Sequence, residues 1–299
     1  LMTLALTGAS GWIGKNTLNC FLLQNRELSK IKLFSSKTKN INYPFIDEFT
    51  RNYSLKHLKN TKGLKAIIHT AFIRAVLQKE FSYEEYFKLN REISTELICA
   101  LEKHPSIPVI SISSGVAKEY ESDSKSIMDN PYGFLKFEEE KKLKELAKTR
   151  MVLIFRVYAC TGPFLKIPTH YALGQFIQNC LKGENIKINS SSRVYRSYIF
   201  LPDLMSLCLK ICDSPLPNGF YLIDACTNKV EIEELASIIR NEFDGIEIER
   251  PKIIKPSVSY CGEPQNFFKL ANKYSHNITP LEEQVKITIR DCITTQKNE

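Results

Sequence analysis

The 299-residue chain predicts an α/β fold built on a doubly wound parallel sheet, with a smaller C-terminal α/β lobe. Three observations carry that prediction. Short apolar runs at Leu4–Leu6, Ile31–Phe34, Ala66–His69, Val109–Ile112 and Val152–Phe155 alternate with amphipathic stretches, the rhythm of βαβ units. The first run leads straight into the glycine-rich turn Thr7-Gly8-Ala9-Ser10-Gly11-Trp12-Ile13-Gly14. After Gly162-Pro163 the rhythm breaks, which marks the change of lobe.

Leu4, Ala5 and Leu6 read as a buried first strand, so the glycines after it fall at a strand-to-helix turn. The second run ends in the polar loop Ser35-Ser36-Lys37-Thr38-Lys39. Tyr83–Lys103 predicts a long helix capped by Ser82, and Pro108 sets the backbone where the next strand begins. A further helix carries Tyr132 and Lys136 and continues through Glu138–Ala147. Beyond Phe164 come helical pieces with a turn at Lys182-Gly183-Glu184, a strand over Tyr195–Leu201 and a helix over Leu204–Ile211 capped by Asp203. A strand over Phe220–Ile223 and helices over Glu231–Phe243 and Thr279–Cys292 complete the chain. Residues 1–163 are expected to form the sheet domain, with later strands returning to it, and residues 164–299 mainly the second lobe.

Composition narrows the class. Hydrophobic residues make up 43% and charged residues 25%, which supports a large core and excludes a disordered chain. No apolar run of about 18 residues occurs, and the first residues read as strand and glycine turn rather than as a leader, so a cytoplasmic protein without a membrane span is expected. The net charge of +8 is spread over lysines such as Lys30, Lys37, Lys39, Lys141, Lys142 and Lys144 without interleaved aromatics. That pattern argues against a nucleic-acid groove and suits solvated helix faces or an anionic substrate. The nine cysteines include no Cys-x-x-Cys, as expected of reduced, buried thiols. His57, His69, His104, His170 and His276 lack metal-ligand spacing, so no metal is expected; His69 ends a strand and the others read as surface residues.

Two motifs carry the chemistry. Lacking Cβ atoms, the glycines let the backbone approach a pyrophosphate at a helix N-terminus, making Gly8, Ser10, Gly11, Trp12, Ile13 and Gly14 the expected dinucleotide cradle; alone, they would also fit an ordinary tight turn. Tyr132 and Lys136 share one helix face, so the ammonium lowers the phenol's pKa and makes Tyr132 a proton donor or acceptor beside a nicotinamide. At the end of the second strand a carboxylate would accept bonds from a ribose 2′-hydroxyl, whereas Ser35, Ser36 and Lys37 suit a 2′-phosphate or form a polar loop with no phosphate partner. NADP(H) is therefore expected in preference to NAD(H).

These motifs, together with Ile68-His69-Thr70-Ala71, Asn90, Ser113-Ser114-Gly115, Arg156, Gly162-Pro163 and the stretch Arg196–Leu204, follow one order and spacing. In them the chain resembles, over nearly its whole length, the extended short-chain dehydrogenases/reductases of the nucleotide-sugar epimerase/dehydratase group. The resemblance implies a Rossmann-type sheet and an oxidoreductase acting on a nucleotide sugar. It implies that Ser114 hydrogen-bonds the substrate oxygen, that Tyr132 transfers the proton, that Lys136 holds the nicotinamide ribose, and that Asn90 shapes the helix behind the site. Thr70, Ala71 and Tyr158 would line the coenzyme, and Arg196, or Arg193 beside it, would reach the substrate phosphates. Ser113 would either meet substrate or only satisfy a strand end. Arg156 is either part of a segment running past the nicotinamide or a structural arginine paired with a buried carboxylate, and Ala159 stands where the family often has an asparagine.

Family members that eliminate water carry an Asp-Glu pair directly after the catalytic Ser or Thr. Here Gly115-Val116 stands there, and neither residue moves a proton. That leaves reduction by NADPH of a nucleotide-linked 4-keto-6-deoxyhexose, the kind of step that finishes a sugar for a surface polysaccharide, or epimerisation with a retained coenzyme. A reductase of a non-nucleotide ketone and a coenzyme-sensing binding protein are further readings. The resemblance also implies a homodimer through Tyr83–Lys103 and Tyr132–Ala147, with Glu138–Lys144 as a charged outer face.

Overall fold

Each expected run becomes a strand one to three residues longer in the computed structural model, which describes residues 2–74, 79–122, 125–165, 170–227 and 229–298. In chain order the elements are β1 (Thr3–Thr7), α1 (Trp12–Leu23), β2 (Ile31–Ser35), β3 (Lys39–Ile41), β4 (Thr50–Ser54), β5 (Leu64–His69), α2 (Tyr83–Lys103), β6 (Val109–Ser114), α3 (Pro131–Glu145) and β7 (Met151–Val157). After these come β8 (Ala159–Thr161), α4 (Ala172–Leu181), β9 (Ile186–Lys187), β10 (Ser192–Phe200), α5 (Leu201–Asp213), β11 (Gly219–Ala225), β12 (Lys229–Glu231), α6 (Ile232–Arg240), β13 (Ile248–Glu249), β14 (Lys255–Tyr260), α7 (Gln265–Lys273) and α8 (Leu281–Asn298). The chain divides into two compact units, Leu1–Val157 with Met205–Ile223, and Tyr158–Leu204 with Asp224–Glu299.

The first unit is built on an eight-stranded sheet of order β11-β7-β6-β5-β1-β2-β4-β3. From β4 through β7 neighbouring strands run parallel, and β3 closes one edge antiparallel to β4. Every residue of β1, β6 and β7 is buried, as a parallel sheet covered on both faces requires. The order turns at β1, with β5 on one side and β2 on the other, so the crevice where a doubly wound sheet binds ligands opens at the C-terminal ends of these strands. β3 and β4 were not legible in the sequence because their residues, Lys-Asn-Ile and Thr-Arg-Asn-Tyr-Ser, lack an apolar run; a buried hydrogen bond of 2.9 Å from the Tyr43 hydroxyl to Asn52 anchors β4 instead. The helix α2 has the expected limits, and Ser82 caps it by accepting a bond from the Glu85 amide at 3.1 Å.

In the second unit β10 is flanked by β12, antiparallel, and by β14 and β8, both parallel, while β9 and β13 form a separate pair. The core of this unit gathers Ile177, Leu235, Ile239, Val285 and Ile289 from the helices around Tyr198 of β10. One expectation is corrected here. Asp203 does not cap a helix beginning at Leu204; it lies inside the first turn of α5 and accepts bonds from the Thr279 amide at 2.7 Å and the Thr279 hydroxyl at 2.9 Å, just ahead of α8. The helix can start at Leu201 because Pro202 falls in its first turn, where a missing amide costs nothing.

Candidate active site

The glycine turn is compressed against the loop after β5. Gly8 has φ +71°, and a Cβ there would lie 2.7 Å from the Ala71 nitrogen; at Gly14 a Cβ would lie 2.7 Å from the Ala9 Cα. Thr7 fastens the same loop: the Thr70 hydroxyl donates to the Thr7 carbonyl at 2.7 Å, and the Ala71 amide donates to the Thr7 hydroxyl at 3.3 Å. Gly11 leads into α1 without a side-chain cap, and no acid occupies the first turn. The amides at Trp12, Ile13 and Gly14, with Ser10 ahead of them, thus open α1 with no side-chain cap and no acid, an arrangement that an anionic pyrophosphate of a dinucleotide would fit. At the end of β2, the buried Ser35 donates to the Lys37 carbonyl at 2.7 Å, while Ser36 and Lys37 are exposed and the segment Ser35–Lys39 contains no acid.

Tyr132 and Lys136 occupy the first two turns of α3, which begins at Pro131 and is capped by Asn130 through the Gly133 amide at 3.1 Å. Gly133 lets the short turn Gly115–Tyr120 pack close, since a Cβ there would lie 3.0 Å from the Tyr120 ring. Ser114 ends β6 immediately before that turn and is buried. Lys136 is 3% exposed, and its Nζ donates to the Ile112 carbonyl at 2.9 Å, tying α3 to the strand end that carries Ser114. The structure thus brings Ser114, Tyr132 and Lys136 to the same end of β6.

Lys136 sits on a buried polar network that the sequence did not reveal. Its Nζ lies 3.7 Å from Glu139 Oε1; the Ser94 hydroxyl donates to Glu139 at 2.6 Å and the Ser111 hydroxyl at 3.3 Å. His69 Nε2 is 3.5 Å from the same carboxylate, and its Nδ1 is 2.8 Å from the Thr7 hydroxyl. Burial pushes the Lys136 ammonium below its ordinary pKa, offset in part by the Glu139 and Glu140 carboxylates. Burial would raise Glu139, but Lys136, His69 and Ser94 outweigh it and hold the carboxyl well below the usual range.

The expected charged face Glu138–Lys144 is corrected accordingly: Glu139 and Glu140 are 2% and 4% exposed, Leu143 is buried, and the solvated charge is left to Glu138, Lys141, Lys142 and Lys144. Glu140 accepts two bonds from Arg156, at 3.0 and 2.5 Å, and one from the Ser113 hydroxyl at 2.5 Å; Arg156 also reaches Glu121 at 2.5 Å. Arg156 is therefore the structural arginine of the two readings, and the Ser113 hydroxyl is committed to that cluster. Asn90 works in both directions: its amide nitrogen donates to the Tyr86 carbonyl of its own helix at 3.2 Å, and its oxygen accepts the Ile73 amide at 2.8 Å, so it also fastens the loop after β5. His104 and His276 are half-buried, not surface residues.

In the second unit, Tyr158 packs against Tyr260 with ring centroids 5.0 Å apart, and burial together with Asp224 pushes its phenol up. Arg196 donates to the Tyr195 carbonyl at 2.9 Å with its guanidinium 5.7 Å over the Tyr260 ring, while Arg193 is exposed. Among the described residues no group of His, Cys, Asp and Glu converges to hold a metal ion, and no helix is long and apolar enough to cross a membrane.

A profile described as the NAD dependent epimerase/dehydratase family matches residues 4–223. No curated protein matches the sequence significantly. Among solved structures, MoeE5 in complex with UDP-glucose and NAD superposes with a TM-score of 0.74 at 16% identity, covering 98% of this chain and 99% of that one. The dTDP-glucose 4,6-dehydratase of Bacillus anthracis in complex with NAD gives 0.73 at 16% identity, covering 99% and 98%. The UDP-glucose 4-epimerase of Thermotoga maritima with UDP-glucose gives 0.72 at 16% identity, covering 99% and 100%. At such identities the likeness is one of fold.

Proposed function

Since the chain belongs to the NAD dependent epimerase/dehydratase family, whose enzymes are of the extended short-chain dehydrogenase/reductase type, we propose that it is an NADPH-dependent reductase of a nucleotide-linked 4-keto-6-deoxyhexose. The observation that carries this reading is the pair of residues directly after Ser114. The buried Gly115 and the half-buried Val116 open the short turn, so neither position offers the extra acid or base that elimination of water needs.

The nicotinamide, when bound, supplies a hydride to the carbonyl carbon. Gly8 to Gly14 hold the pyrophosphate, Thr70 and Ala71 wall the dinucleotide, and Lys136 bonds the ribose. Tyr132 gives its phenolic proton to the carbonyl oxygen, Ser114 donates a hydrogen bond to that oxygen, and the charge of Lys136 favours the phenolate left behind. Arg196 is proposed to meet the substrate phosphates, for which a guanidinium fork is suited. The exposed Ser36 and Lys37, with no acid at the end of β2, support a 2′-phosphate.

The NAD in two of the compared structures favours a second reading, an epimerase that retains its coenzyme. Loss of NADPH absorbance with 4-keto-6-deoxyhexoses linked to dTDP, GDP, CDP or UDP, with NADH in parallel, separates the two. Oxidation of NADPH by one of these sugars is expected. Silence across the set, together with tightly held oxidised coenzyme in the purified protein, refutes the reductase in favour of the epimerase.

A further inference from the structure

An ammonium has three N–H donors and no acceptor. For Lys136, one goes to the Ile112 carbonyl at 2.9 Å and one faces Glu139 at 3.7 Å. The Phe72 ring also lies against the ammonium, its centroid 3.9 Å from Nζ, a close cation–π contact. The same ring meets Tyr132 edge-on, with centroids 5.5 Å apart and planes at 86°. Phe72 therefore packs against both the lysine and the tyrosine of the dyad.

The backbone on either side of Phe72 is fixed. Ahead of it, the Ala71 amide is bonded to Thr7. Behind it, the Ile73 amide donates to Asn90 at 2.8 Å and the Ile73 carbonyl accepts the Tyr86 hydroxyl at 2.8 Å. With both neighbours pinned and its own side chain only half-buried, a displacement of Phe72 from Lys136 falls to side-chain rotation rather than to movement of the loop.

We propose that Phe72 is a shutter on the Lys136 ammonium, displaced when a ribose hydroxyl of the coenzyme takes the third N–H. This rests on the coenzyme reading given above. Binding then carries the cost of breaking the cation–π contact, and the same movement uncovers Tyr132, so coenzyme arrival precedes exposure of the phenol.

The test is a titration of the whole protein with NADPH, read by the fluorescence of its single tryptophan, Trp12. In the wild-type protein, failure to bind overturns the coenzyme reading itself. If wild-type binds, Phe72→Leu, which keeps bulk but has no π face, is expected to bind about five- to thirtyfold tighter, the equivalent of a partly buried cation–π contact. Phe72→Ala guards against a steric origin and should tighten binding at least as much. In a Lys136→Met background, the gain from Phe72→Leu should shrink to less than about twofold. Unchanged or weaker binding by both Phe72 variants, or an undiminished gain without the lysine, overturns the shutter while leaving the coenzyme reading intact.

Discussion

Lys136 and Glu139 face each other one helical turn apart, 3.7 Å between Nζ and Oε1, both almost wholly shielded from water. A buried pair of this kind survives because the remaining lone pairs and protons are satisfied, here by Ser94, Ser111 and the Ile112 carbonyl.

That pairing sets a pH dependence. Glu139 has a folded pKa held well below its unfolded value of about 4.3, so its stabilisation is complete above that value and fades as pH falls below it. Urea unfolding from pH 7 to pH 3 should show wild-type stability declining below about pH 5. Glu139→Gln should be less stable at neutral pH and decline less steeply. Parallel curves for the two proteins would refute this account.

Tyr132→Phe removes the proton and keeps the ring that packs on Phe72. Turnover should fall by about 10²–10⁴-fold, while the Kd for NADPH stays within about twofold. Near-normal turnover would take the proton-transfer role away from Tyr132.

Arg156→Met would take from Glu140, 4% exposed, the guanidinium that bonds both its oxygens, leaving it the Ser113 hydroxyl bond and the more distant charge of Lys136. The expected loss is about 3–5 kcal/mol in chemical denaturation, and adding Glu140→Leu should recover most of it. A loss under about 1 kcal/mol, or no recovery in the double variant, would show that the cluster is not holding α3 to β7.

How much of this was readable beforehand differs by element. The parallel strands, α2 with its Ser82 cap and the glycine turn depend on local runs and spacing, and the sequence displays them. The neighbours Glu138, Glu139 and Glu140 look alike in sequence; whether each is solvated depends on Arg91, Ser94 and Arg156, brought in from other elements. Phe72 was equally silent, because its meaning comes from Lys136 and Tyr132 on a distant helix. The polar edge strands β3 and β4 are specified by pairing rather than by pattern.

Gly14→Ala tests the tightness of the turn. Its added methyl would press on the Ala9 Cα and on the Gly8 carbonyl carbon at 2.7 and 2.8 Å, both backbone atoms that cannot rotate away. A stability loss of about 1–3 kcal/mol and weakened NADPH quenching of Trp12 are expected. Unaltered melting and unaltered quenching together would mean that the turn has slack.

The first unit closes its sheet only with β11, after the chain has left at Val157 and returned at Met205. During synthesis, β7 is therefore made well before the strand that will cover it, and its outer rim of amides and carbonyls stays open until Gly219 has emerged. A nascent chain stalled between these points would carry an unsealed sticky border, and chaperone demand should peak there rather than at either terminus.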